Sequence, residues 1–229
     1  MIGVVGASGG LGASSLAVAV AARAARRLGA TACVDGDPGT GGLDVTACLE
    51  HLPGLRWPDL VGARGAMDGA ALLRALPAEG ALRVLAGRGL DPGAAVVQAS
   101  IDALRELCAV VVVDLGRDTA LAGRCTEVVV VGGVSARHLA DCSVTVPRVI
   151  DSGTTGRLVL RAGRRDAVLA EEVAAHLDLP LVAVLGDEPH LGADADRGRM
   201  PGARPSSKLT RVADRLLLEP DDSDLAAVS

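Results

Sequence analysis

Two groups of residues in this chain have the types and spacing that chemistry needs. The first is Gly6-Ala7-Ser8-Gly9-Gly10-Leu11-Gly12-Ala13-Ser14-Ser15, which follows an apolar run at Ile2–Val5 and precedes an alanine-rich helical stretch. Closely spaced glycines let backbone N–H groups turn inward, and the start of a helix adds partial positive charge, so a loop of this kind cradles an anion such as a phosphate. The second group is carboxylate: Asp35 and Asp37 close one apolar run, and Asp114 closes another, Val110–Val113. In an open parallel sheet ligands bind beyond the carboxyl ends of the strands. A hydroxyl at Ser14 together with an aspartate is a recognised way to hold Mg²⁺. Taken alone, the loop could be a glycine-rich strand-to-helix turn, and Asp35 and Asp114 could merely cap turns. Their joint arrangement favours phosphate and metal. A dinucleotide site fits less well, because no GxGxxG stands in the loop.

The elements around these residues alternate. Strands are expected at Ile2–Val5, Thr31–Val34, Leu82–Leu85, Ala109–Val113, Glu127–Val131, Leu158–Leu160 and Leu181–Leu185. Helices are expected at Ser14–Leu28, Ala94–Leu107, from about Ser135, at Ala167–Leu177 and at Ser206–Leu218, the last capped by Ser206 or Ser207. The valine runs read as strands buried on both faces. Repeated β-then-α order predicts an α/β fold of three layers, a mostly parallel central sheet flanked by helices. Residues 1–218 read as one domain, Thr40–Gly80 and Gly186–Pro205 as irregular, and Glu219–Ser229 as an acidic disordered tail.

Composition narrows the partners. The 229 residues include no Phe and no Tyr, and Trp57 is the lone aromatic ring, which removes the stacking platform of a single-stranded nucleic-acid binder. Net charge is −5, so the basic footprint of a DNA-binding or membrane-surface protein is missing. The five cysteines lack CxxC spacing and read as buried reduced thiols rather than a zinc or disulfide framework. Met1-Ile2-Gly3-Val4-Val5 has neither a basic flank nor a long apolar run, so a cytoplasmic protein without signal peptide or membrane span is expected. His51, His138, His176 and His190 are scattered, and no G-x-S-x-G elbow accompanies Ser14. Arg161, Arg164 and Arg165 read as a solvated turn, with a phosphate or partner contact as the alternative. Trp57, beside Arg56 and two prolines, reads as a core residue, with an exposed anchor as the alternative.

The order of loop, Asp-x-Asp, apolar strand and Asp114 resembles the deviant Walker A (SIMIBI P-loop) ATPases, the MinD/ParA group. Within it, Pro53-Gly54-Leu55-Arg56-Trp57-Pro58-Asp59-Leu60, the stretch Glu171–Pro180 and the region from Leu191 to Pro205 are similar to the actinobacterial CpaE-like, TadZ-related proteins, also called septum site-determining proteins. The resemblance runs from Ile2 to about Leu218. It implies a P-loop NTPase fold and a homodimer that positions or regulates Tad/Flp pilus or secretion machinery, or the septum. The implied partners are a Tad/Flp secretion ATPase or membrane platform proteins, which would recruit the chain to the membrane or pole; nucleic acid and direct membrane insertion are not implied. ATP or ADP with Mg²⁺ would be held by Gly9, Gly10, Leu11, Gly12, Ala13, Ser14 and Ser15. Ser14, Asp35 and Asp114 would serve the metal, and Asp37 would face the attacking water.

The departures from that pattern matter as much. Active relatives carry a lysine where Ser8 stands and another where Ala13 stands; Arg161 stands at the position of a base-contacting asparagine. Lys208 is the chain's only lysine, far from the loop in sequence, and Arg117 is the nearest alternative cation or else a solvated loop residue. Nucleotide binding that is weak or absent, with very slow or absent hydrolysis, is therefore expected. An active ATP-driven switch and a nucleotide-free adaptor are the two alternatives. Relatives often carry a receiver-like domain ahead of the loop, which here would lie outside this sequence.

Overall fold

A computed structural model describes residues 1–38, 42–87 and 89–218. Glu219–Ser229, read above as an acidic tail, lies outside the described residues. The strands are β1 (Ile2–Gly6), β2 (Thr31–Asp35), β3 (Ala78–Glu79), β4 (Leu82–Leu85), β5 (Val110–Asp114), β6 (Glu127–Gly133), β7 (Thr155–Arg161) and β8 (Leu181–Leu185). The helices are α1 (Ala13–Leu28), α2 (Leu43–Thr46), α3 (Gly69–Ala75), α4 (Ala94–Arg105), α5 (Ala136–Asp151), α6 (Leu169–Leu177), α7 (Leu191–Ala195) and α8 (Lys208–Leu218).

The strands form one sheet in the order β3-β4-β2-β5-β1-β6-β7-β8. All pairings are parallel except the short β3–β4 pair at one edge. The central strands β5 and β6 are rich in valine, and apolar side chains buried on both sides of a strand require a helical layer on each face. One layer holds α1 and α8, whose Leu16, Val20, Leu209 and Leu216 pack with Val4, Cys33 and Val129. The other contains α4, α5 and α6, where Ile101, Cys142 and Val173 pack with Val5, Val34 and Val130. The three-layer α/β expectation stands.

Elsewhere the structure revises the reading. Thr40–Gly80, expected to be irregular, contains α2, a 3₁₀ turn at Trp57–Leu60, α3 and β3. These pieces are too short to show a helical period, and long-range contacts hold them. Arg56 gathers the carbonyls of Leu49, Leu52 and Gly54 and pairs with Asp44 at 3.1 Å. Trp57 is fully buried, and its indole N–H donates to the Asp35 carbonyl at 3.0 Å, so the core reading of this residue is correct. Gly186–Pro205 contains α7, whose Asp194 receives Arg199 and Arg204. Strand β7 runs through Arg161, beyond the expected Leu158–Leu160. Ser207 caps α8, its hydroxyl accepting the Thr210 N–H at 3.0 Å. All five cysteines are free thiols, four of them buried. No helix among the described residues is long and apolar enough to cross a membrane.

Candidate functional site

The glycine loop leaves β1 at the carboxyl edge of the sheet, between β5 and β6. Its entry is pinned: the Gly6 N–H donates to the Gly116 carbonyl and the Ala7 N–H to the Val131 carbonyl, both at 3.0 Å. Gly10 and Gly12 take left-handed backbone conformations, with φ of 78° and 90°, which explains glycine at these two positions. The space beside Gly9 and Gly10 is open; a Cβ at either would meet nothing within 4 Å. Helix α1 begins at Ala13 with no capping side chain on Gly12 and no acidic residue in its first turn. Its leading N–H groups and positive dipole end thus face the loop with no capping side chain from the helix itself. Leu11 belongs to the loop through its backbone, its side chain being buried in the α1/α8 layer.

The carboxylates meet beside the loop. Asp35 and Asp114 are register partners at the ends of the neighbouring strands β2 and β5. Gly36 sits against the Asp114 carbonyl, where a Cβ would approach to 2.9 Å, so the residue between Asp35 and Asp37 must be small. The Asp37 N–H donates to the Asp35 carboxylate at 3.1 Å, and the Gly116 N–H to Asp114 at 3.2 Å. Ser14, in the first turn of α1, faces Asp114 at the end of β5 and favours its charged form. Burial pushes the Asp35 carboxyl up to about 7; the Asp37 N–H opposes this, and the negative Asp114, Asp37 and Asp44 add to it. Asp114 is also raised by burial, with Ser14 and the Gly116 N–H pulling the other way. A buried negative cluster of this kind is relieved by a proton or a cation. Among the described residues no three His, Cys, Asp or Glu side chains form a ready metal cage. The donors present therefore suit a cation completed by the Ser14 hydroxyl, water and phosphate oxygens, the habit of Mg²⁺.

Further residues border the loop, and of these Arg137 and Asp141 carry no signal in the sequence. Ser8, where a lysine was noted as missing, donates its hydroxyl to Asp141 on α5. Together with Gly9, Arg117, Arg137 and His138 they line a cleft of about 430 Å³. Arg117 is thus an exposed residue on the wall of this cleft. The basic trio divides: Arg164 and Arg165 are exposed in the turn after β7, whereas Arg161 is partly buried. A Cβ at Gly12 would lie 3.5 Å from Arg161 Nη1. Only the helix-initiating position of Gly12 and the strand-ending position of Arg161 bring them together, and no spacing in the sequence signals that.

Solved structures share this architecture. A ParA family ATPase from Chlorobium tepidum superposes with a TM-score of 0.82 at 15% identity, covering 95% of this chain and 98% of that one. MinD in the MinC:MinD cell division complex of Aquifex aeolicus gives 0.75 at 16%, covering 96% of each. The septum site-determining protein MinD of Pyrococcus horikoshii, complexed with Mg-ADP, gives 0.70 at 17%, covering 100% of this chain and 98% of that one. The chain has the α/β P-loop NTPase fold of these ParA and MinD proteins. No family model matches it. Two uncharacterized proteins from two strains of Mycobacterium tuberculosis are each 35% identical over 224 residues, 95% of this chain. The chain spans 63% of the length of these curated relatives.

Proposed function

We propose that the chain is a MinD/ParA-like nucleotide-binding protein that holds ATP or ADP with Mg²⁺ at the Gly6–Ser15 loop and hydrolyses it very slowly or not at all. One observation carries this reading. The uncapped end of α1 opens onto an unobstructed glycine loop, with Ser14 beside the buried Asp114–Asp35 pair, whose upward pKa shifts are opposed by no cation among the described residues. The backbone N–H groups of Gly9, Gly10, Leu11, Gly12 and Ala13, with Ser14 and Ser15, would take the phosphates. Ser14, Asp35 and Asp114 would serve Mg²⁺, which when bound neutralises phosphate charge. Asp37, next to Gly116, would orient water if turnover occurs.

Ser8 and Ala13 supply no positive charge to the phosphates. Phosphoryl transfer depends on charge stabilisation, and losing one such contact costs about 2–4 kcal/mol of barrier lowering. Binding can survive on the backbone cradle while turnover falls by orders of magnitude. Within the resemblance noted above, the CpaE-like and TadZ-like role is our reading of the biology: a homodimer that positions Tad/Flp pilus or secretion machinery, or the septum, through a secretion ATPase or membrane platform protein. A working ATPase switch is the second reading, favoured by the complete Asp35, Asp37 and Asp114 set.

Isothermal titration with Mg-ATP and Mg-ADP, paired with steady-state phosphate release, tests both. We expect measurable binding with phosphate release near background. Robust release abolished by Asp37→Ala would establish the working ATPase, and no binding at all would leave a nucleotide-free adaptor.

A further inference from the structure

We infer that Arg161, reaching in from β7, is the cation that contacts bound phosphate in place of the lysine that the loop lacks; this rests on the nucleotide-binding reading. Arg161 is the last residue of β7 and the register partner of Gly133 at the end of β6. Its backbone therefore lies on the carboxyl edge of the sheet, two strands away from β1. Its side chain turns toward the loop rather than out into the turn that holds Arg164 and Arg165, and brings Nη1 to 3.5 Å from where a Cβ on Gly12 would stand. Gly12 is the residue from which α1, sixteen residues long, begins.

The electrostatics of this placement point to an anion. The start of α1 is positive, has no capping side chain and has no acidic residue in its first turn. A guanidinium set against such an end is repelled unless negative charge lies between the two. Among the described residues the counter-charge paired with Arg161 is Asp187, 3.3 Å from Nη2 and 85% exposed at its side chain. A solvated carboxylate at that distance compensates weakly. Phosphate oxygens placed over the loop would receive N–H donors from α1 and from the guanidinium together. Arginine suits this position because its planar fork can donate two parallel bonds to one phosphate and stays charged at all working pH. Gly12 itself is required by its left-handed backbone, and a Cβ there would be in ordinary van der Waals contact with the guanidinium.

The test is binding, independent of turnover. Affinities for Mg-ADP, inorganic pyrophosphate and adenosine are measured by titration calorimetry for the wild-type chain, Arg161→Gln, Arg161→Lys, Arg164→Gln and Asp187→Asn, with thermal unfolding of each free protein as the folding control. We expect Arg161→Gln to weaken Mg-ADP and pyrophosphate by the same factor, tenfold or more, and to flatten the salt dependence of both. Arg161→Lys should recover part of the loss, and Arg164→Gln should stay within twofold of wild type. Asp187→Asn should leave pyrophosphate affinity unchanged or raise it. If Arg161 merely braced the β7–β8 edge, Asp187→Asn would reproduce the Arg161→Gln loss and overturn the inference. A loss confined to adenosine and Mg-ADP, with pyrophosphate unaffected, would move Arg161 to the base or sugar and also overturn it. Equal binding by wild type and Arg161→Gln removes this inference but leaves the nucleotide site standing. No binding by wild type removes both.

Discussion

Asp35 is buried to 5% exposure, faces Asp114 across a strand pair and has Asp37 and Asp44 nearby, so its proton is held up to about pH 7 against an ordinary value of 3.8. The sign of the consequence follows. Between those two values the folded chain binds more protons than the unfolded one, so this carboxyl's stabilising effect is complete below pH 3.8 and is lost as pH rises through 7. In the absence of divalent cations, we expect unfolding free energy to fall over this window by on the order of 2–4 kcal/mol from this group. Asp35→Asn, which is neutral throughout and keeps an acceptor for the Asp37 N–H, should flatten the profile; urea unfolding at pH 4, 6 and 8 checks this, and an unchanged slope counts against it. At the loop, Ala13→Lys should tighten ATP binding on the order of tenfold, the scale of one charged hydrogen bond. Turnover should rise far less, because the Ser8 side chain stays neutral and engaged with Asp141. Paired calorimetry and phosphate-release measurements separate the two effects.

The segment from α2 through the Trp57 turn behaves as one element although little of it is regular. Its Arg56 collects three carbonyls and Asp44, and its Trp57 fills the core beneath the end of β2. Removing the indole leaves a cavity and an unpaired Asp35 carbonyl. Trp57→Ala should therefore cost about 3–5 kcal/mol, and Trp57→Phe, which keeps most of the volume, about 1–2 kcal/mol. Circular dichroism during urea unfolding is the readout, since Trp57 is the only tryptophan. The α1–α8 contact is a contrasting case. Asp214 pairs with Arg23 and Arg27 at a partly exposed seam, so Asp214→Asn should cost no more than about 1 kcal/mol.

At the scale of the whole molecule, net charge bears on duplex DNA as a partner. With 28 acidic against 23 basic residues, the net charge of −5 works against the phosphate neutralisation on which duplex affinity depends. The arginines nearest the loop, Arg117, Arg137 and Arg161, line a cleft and a helix start rather than a continuous stripe. Mobility-shift experiments should show no salt-sensitive micromolar binding to duplex DNA; such binding would overturn the proposed partner class.

What the amino-acid sequence determined by itself was local and periodic. Valine runs marked strands β5 and β6 because β-branched chains buried on both faces leave no polar alternation, and Gly6–Ser15 marked the turn between β1 and α1 because turn, glycine and helix start are contiguous. Asp35 and Asp114 were legible as strand ends. Only the tertiary structure could decide that they are register partners, and that Ser14 faces Asp114. It also separated Arg161 from Arg164 and Arg165, three residues alike in type and neighbourhood. The cause is the same in each case. The approach of Arg161 to the backbone of Gly12, or the hydrogen bond between Asp35 and Trp57, is set by sheet order and layer packing, which bring distant residues together at a cost in chain entropy that no local pattern records.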